Sequence, residues 1–176
     1  MTEENPSSSQ NGCTLACQGP ESLSPFAEVL TRELKPGDVL LLYGPLGAGK
    51  TTLTQALARG LAVGDDQYVS SPSFALLHEY EGRLPIAHMD LYRLADEDDI
   101  EASGLAEYLE YDGVSIIEWP ERLGDLTPQN RLELVLEPID AELRHIHLAA
   151  RGKEWGERMV NIAQQLANTA GVHIVA

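Results

Sequence analysis

The stretch Gly44-Pro-Leu-Gly-Ala-Gly-Lys-Thr51 constrains this chain more than any other feature. It satisfies the pattern G-x4-G-K-[ST] in full, and it has the flanks that pattern requires. Asp38–Tyr43 before it is a short apolar run that reads as a strand buried on both faces, hence part of a parallel sheet covered by helices. Leu53, Ala56, Leu57 and Leu61 after it recur at helical spacing. Glycines in such a loop admit positive φ and close backbone approach. The loop amides then converge into a nest for phosphate oxygens, and the helix start adds the positive end of its dipole. The residues expected to bind nucleotide are Gly44, Gly47, Ala48, Gly49, Lys50, Thr51 and Thr52. Lys50 would reach the β- and γ-phosphates, the Thr51 hydroxyl would bind magnesium, and Thr52 would contact the α-phosphate. Lysine is scarce, Lys35, Lys50 and Lys153 being the whole set, so its presence at the required position strengthens the reading of an ATP–Mg2+ site.

The remaining pattern is α/β. Ser24-Pro25 followed by Phe26, Val29, Leu30 and Leu34 predicts a helix ending near Lys35-Pro36-Gly37. Leu84–Asp90 and Val114–Glu118 are apolar runs ending in a carboxylate, with a helix expected over Glu97–Leu109 despite Gly104. Leu132–Leu136 pairs naturally with Leu143–Ala149 across Asp140. Trp155, Met159, Ile162, Ala163 and Leu166 stripe a last helix that should dock on the sheet. The expected fold is a P-loop NTPase-like, mainly parallel sheet with helices on both faces and an antiparallel edge hairpin. Residues 1–12 read as a disordered tail. Residues 13–176 read as one domain, with Cys13–Cys17 a short edge strand.

A nucleotide hydrolase needs a carboxylate near its magnesium, at the C-terminal end of a neighbouring parallel strand. Asp90 and Glu118 both qualify: one can hold the metal and the other can position the attacking water. The segment Val69-Ser-Ser-Pro-Ser-Phe74 lies between the glycine loop and Asp90. Its hydroxyls beside a rigid proline suit a loop that senses the γ-phosphate. His88 should share a strand face with Asp90, in a packing or supporting role. His145-x-His147 puts two rings on one strand face. Two ligands do not make a metal site, so the pair reads as an exposed face, as Cys13-x3-Cys17 alone lacks ligands for one.

Charge limits the partners. The balance of 28 Asp+Glu against 12 Lys+Arg gives a net of −16, a surface that phosphate backbones repel. No apolar run is long enough to span a bilayer. The polar start, Met1 to Gln18, reads as neither a signal nor a targeting segment. A cytoplasmic, reducing setting fits the two cysteines.

Leu46-Gly-Ala-Gly-Lys-Thr-Thr52, Val69-Ser-Ser-Pro-Ser-Phe74, His88-Met-Asp-Leu-Tyr-Arg-Leu94 and Glu118-Trp-Pro120 occur in this order. Over roughly residues 13–150 the chain resembles the TsaE (YjeE) family, the ATPase of bacterial threonylcarbamoyladenosine synthesis. The resemblance implies two partners, TsaD-like and TsaB-like, that modify the adenosine beside the anticodon. It implies a subunit that hydrolyses ATP at their interface and meets tRNA only through the complex. By the same likeness Thr51 and Glu118 would ligate magnesium, Asp90 would assist hydrolysis, and Lys50 would serve catalysis. Trp119 would support the site or a partner contact, with Ser71, Pro72 and Ser73 as the switch or partner segment. The chain departs from the family pattern at Pro45, where Asp is usual, and at Ser73, where Thr is usual. Pro45 removes a side-chain acceptor and an amide donor, whereas Ser73 keeps the hydroxyl.

A small-molecule P-loop kinase is the alternative. Such enzymes carry an arginine-bearing lid and an acceptor pocket; here the arginines are scattered. Only Arg93 falls near the site, and a structural salt bridge is its competing role. The Asn/Thr-Lys-x-Asp element of guanine readers is absent. Residues near Glu21–Leu23 are the suggested neighbours of the adenine.

Overall fold

The computed structural model describes residues 12–175. Its strands are β1 (Gly12–Gln18), β2 (Asp38–Tyr43), β3 (Leu77–Tyr80), β4 (Ile86–Asp90), β5 (Val114–Glu118), β6 (Arg131–Pro138), β7 (Leu143–Arg151) and β8 (His173–Val175). Its α-helices are α1 (Leu23–Glu33), α2 (Lys50–Gly60), α3 (Glu97–Ala102) and α4 (Lys153–Ala167). The strands form one sheet in the order β3-β4-β5-β2-β6-β7-β1-β8. The central strands β4, β5, β2 and β6 are mutually parallel. The expected hairpin is present as the antiparallel pair β6–β7, with Leu134 opposite Leu148. It does not end the sheet. Strand β1 pairs with β7 on one side and β8 on the other, so Cys13–Cys17 is an inner strand rather than an edge. Most of the tail assigned to residues 1–12 lies outside the described residues; Gly12 opens β1.

Strand β2 shows why a buried central strand reads as an unbroken apolar run. Leu40 and Leu42 face a large core shared with Phe26 and Leu30 of α1, Leu53 and Leu57 of α2, and Trp155 and Ile162 of α4. Val39 and Leu41 face a second core with Met89, Ile117, Ile100, Leu105 and Leu123. Both faces are therefore covered, as the apolar run demands. Helix α1 stops at Leu34, which has ψ 141°, two residues before Pro36, whose ring disfavours helical geometry at Lys35. The helix expected over Glu97–Leu109 breaks in two: Gly104 takes φ 78°, and a 3-10 segment, Leu105–Glu110, follows α3. Helix α4 docks as expected. Arg158 clamps it to the first residue of β2, its two terminal nitrogens each 2.7 Å from an Asp38 carboxylate oxygen. No helix of the described residues is long and apolar enough to cross a membrane.

Candidate nucleotide site

The glycine loop joins β2 to α2 and depends on its glycines at two points. Gly44 has φ 146°, and a Cβ there would lie 2.7 Å from the Leu136 carbonyl oxygen of β6. Gly49 has φ 100°, and a Cβ there would strike the Arg144 guanidinium. That guanidinium reaches across from β7 and donates to the Ala48 carbonyl at 3.3 Å. The loop is thus braced from two strands behind it. Pro45, which supplies no amide, still contributes its carbonyl: it accepts from the Ala48 amide at 3.1 Å.

Lys50 is 5% exposed. Its ammonium donates to the carbonyls of Gly44 at 2.7 Å and Pro45 at 3.0 Å and sits 4.4 Å from the Trp119 ring centroid. Burial pulls its pKa below the usual lysine value, and the nearby Glu118, Asp90 and Glu121 carboxylates oppose that pull. Trp119 holds its place through a left-handed backbone, φ 58°, and a Tyr92 ring 4.8 Å away.

The two strand-end carboxylates are register neighbours on parallel β4 and β5, Asp90 directly beside Glu118. Both are almost fully buried. Their hydrogen-bond partners differ. Glu118 Oε1 accepts the Thr51 hydroxyl at 3.0 Å and lies 2.9 Å from His88 Nε2. Asp90 accepts the Ser71 hydroxyl at 2.6 Å and the Tyr92 amide at 3.0 Å. Glu118 therefore stands with the helix threonine, and Asp90 with the serine-proline loop. A buried carboxylate facing a threonine hydroxyl and a lysine suits a hard cation and its anionic ligand. The donor set fits a magnesium–triphosphate.

A cleft of about 490 Å³ opens over these groups, lined among others by Gly47, Lys50, Thr52, Ser73, Arg93 and Trp119. The sequence-predicted residues Gly49, Thr51, Ser71, Asp90 and Glu118 also line it. Pro72 is buried, and its carbonyl accepts the Leu76 amide at 2.6 Å. Glu21–Leu23 are not among the lining residues. Arg93 makes no ion pair among the described residues; its guanidinium lies 4.0 Å from the Phe74 ring centroid at the cleft wall. Sequence reasoning missed Tyr92 and Arg144. Tyr92 sits between the motif residues Asp90 and Arg93 and was within reach. Arg144 carries no local signal, because only the sheet order brings β7 behind the loop.

The chain is similar to known proteins over most of its length. The family model described as "Threonylcarbamoyl adenosine biosynthesis protein TsaE" matches residues 17–146. The tRNA threonylcarbamoyladenosine biosynthesis protein TsaE of Bacillus subtilis (strain 168) is 41% identical over 137 residues, covering 77% of this chain and 84% of its own length. The protein of the same description from Treponema pallidum is 39% identical over 124 residues, covering 70% and 90%. The crystal structure of Bacillus subtilis YdiB superposes with a TM-score of 0.70 at 33% identity, over 89% of this chain and 95% of that one. A glycine loop braced by two strands, a threonine–glutamate pair beside a buried lysine, and this extent of likeness place the chain in the TsaE family.

Proposed function

We propose that this protein is a magnesium-dependent ATPase that serves threonylcarbamoyl modification of the adenosine beside the tRNA anticodon, acting with TsaD-like and TsaB-like partners. The observation that carries the ATPase reading is the Thr51 hydroxyl donating to the Glu118 carboxylate at 3.0 Å beside the buried Lys50. The pathway rests on family membership. Thr51 and Glu118 would hold magnesium, which when bound supplies charge neutralisation across the β- and γ-phosphate oxygens. Lys50 would exchange its two loop carbonyls for phosphate oxygens, with Trp119 keeping the ammonium on the cleft side. Asp90, oriented by Ser71 and the Tyr92 amide, would position the attacking water. His88 holds Glu118 from behind. The net charge of −16 supports a subunit that leaves tRNA contact to its partners, and the free Cys13 and Cys17 fit a reducing, cytoplasmic setting.

The test is phosphate release from ATP and magnesium with no added acceptor, with and without the partner pair. Turnover without a phosphorylated product separates the ATPase from a kinase. Lys50→Ala should lower it by about a hundredfold or more, because loop amides alone do not neutralise the transferring group. Unchanged turnover in that variant refutes the assignment. Normal threonylcarbamoyladenosine in tRNA after depletion of the protein would refute the pathway.

A further inference from the structure

The β6–β7–β1 part of the sheet carries core residues on one face only. Leu134, Leu136, Ile146 and Leu148 point into the large core. By strand alternation, Glu137, His145, His147 and Thr14 stand on the opposite face. There the register puts Glu137 beside His145 and Thr14 beside His147. One ligand atom each from Glu137, His145 and His147 lie within 4.8 Å of one another. His147 Nε2 is 3.0 Å from a Glu137 carboxylate oxygen. His147 Nδ1 is 2.9 Å from the Thr14 hydroxyl on the neighbouring strand.

We propose that Glu137, His145 and His147 form a surface site for a late first-row divalent cation such as Zn2+, separate from the magnesium of the nucleotide cleft. The two imidazoles are borderline donors that suit Zn2+, Ni2+ or Cu2+, and a carboxylate oxygen is a common third zinc ligand. They do not suit Mg2+, which prefers an all-oxygen octahedron. Thr14 plays the orienting part. With its hydroxyl accepting from Nδ1–H, the His147 Nε2 lone pair faces Glu137 and His145, as a metal-bound imidazole requires. Without an ion, the same two contacts are satisfied by the other tautomer, Nε2–H donating to Glu137 and the Thr14 hydroxyl donating to Nδ1. Binding therefore moves the single imidazole proton from Nε2 to Nδ1 and reverses the Thr14 hydrogen bond, with no net proton released from this ring.

Two ligands of a tetrahedral zinc ion stand about 3.3 Å apart. A pair at the 4.8 Å limit must close by about 1.5 Å, a side-chain rotation open to exposed residues on a fixed strand. The side chains of His147 and Glu137 are 40% and 56% exposed, so the ion has an open path and water completes its shell. The ligand strands β6 and β7 are each paired on both sides, which limits the ordering cost of assembling the donors. The strongly acidic chain further favours cation capture.

The experiment is a competition titration of Zn2+ between the full chain and a chromogenic chelator, in saturating magnesium, with histidine 15N spectra recorded in parallel. The expected result is one equivalent bound in the micromolar range or tighter, with a large shift of His147 Nε2 and of one His145 nitrogen. His147→Ala and His145→Ala should remove this equivalent, Glu137→Gln should weaken it, and Thr14→Val should weaken it by about tenfold. Glu118→Gln, in the nucleotide cleft, should leave the stoichiometry unchanged. Circular dichroism of each variant confirms that the sheet is intact. Absence of binding by the natural chain overturns the proposal. So does equal affinity in the folded His147→Ala and His145→Ala variants, which would place the ion elsewhere.

Discussion

Replacing Arg158 by alanine should cost this fold about 3 kcal/mol, and the estimate follows from its surroundings. The guanidinium makes two bonds of 2.7 Å to Asp38 and a third of 2.9 Å to the Glu33 carbonyl. The paired side chains are only 10% and 8% exposed, so solvent screens them weakly. Removing one member of a buried pair costs about 3–5 kcal/mol, chiefly because the other charge stays buried. The guanidinium also stacks 3.9 Å from the Trp155 ring centroid, worth roughly 0.5–1 kcal/mol. Against this, Asp38 keeps the Lys35 amide at 2.7 Å, which places the net cost at the low end of the range. Urea denaturation should show a lower midpoint at unchanged slope, and the thermal midpoint should fall by roughly 6–12 °C. A double-mutant cycle with Asp38→Asn should give a coupling of about 2 kcal/mol or more. A loss below about 1 kcal/mol, or additive single changes, would refute the reasoning that α4 is clamped by this pair.

Three further outcomes follow from the same geometry. His88→Leu should raise the magnesium concentration for half-maximal turnover by about tenfold while nucleotide binding changes little, and His88→Gln, which restores a donor, should recover most of it; a pure loss of stability would move neither in that way. Gly44→Ala should abolish nucleotide binding in a calorimetric titration, since the added methyl meets the Leu136 carbonyl at φ 146°; retained binding would show that the loop can re-form. Burial raises the Cys13 thiol pKa from 9.0 to about 11. The folded state then holds that proton more tightly than the unfolded chain, so the contribution is full below pH 9 and is lost as pH rises toward about 11. Cys13→Ser should flatten that part of the stability profile, measured by urea denaturation at several pH values.

The parts of this protein readable from sequence are those whose chemistry is local. The glycine loop announces itself because only glycine accepts φ 146° at Gly44 and 100° at Gly49. Asp90 and Glu118 were legible because a carboxylate closing an apolar run is unusual. Their division of labour came from the family resemblance and not from the residues themselves. It depends on which side chains reach them from elsewhere, Thr51 lying 67 residues from Glu118 and Ser71 lying 19 from Asp90. Leu77–Tyr80 and His173–Val175 escaped notice as strands, being too short to show a period. Gly104 was seen but underweighted: a left-handed residue ends a helix when a second apolar residue, Leu105, can then turn into the core. The metal-like grouping at His145 and His147 needed its third member, Glu137, and only strand register supplies that.

The sheet order also dictates when the glycine loop is completed during synthesis. Strand β2, which launches the glycine loop, sits between β5 and β6, so its two flanks come from residues 114–118 and 132–135. Strand β1 waits still longer, for its mate Ile146. A ribosome adding about 5–20 residues per second delivers these mates several seconds after the loop itself has emerged. Until then the nascent loop has neither its bracing arginine nor its glutamate. Under the proposed function, nucleotide capture would be a late event in the life of each new molecule, reporting that nearly the whole sheet has closed.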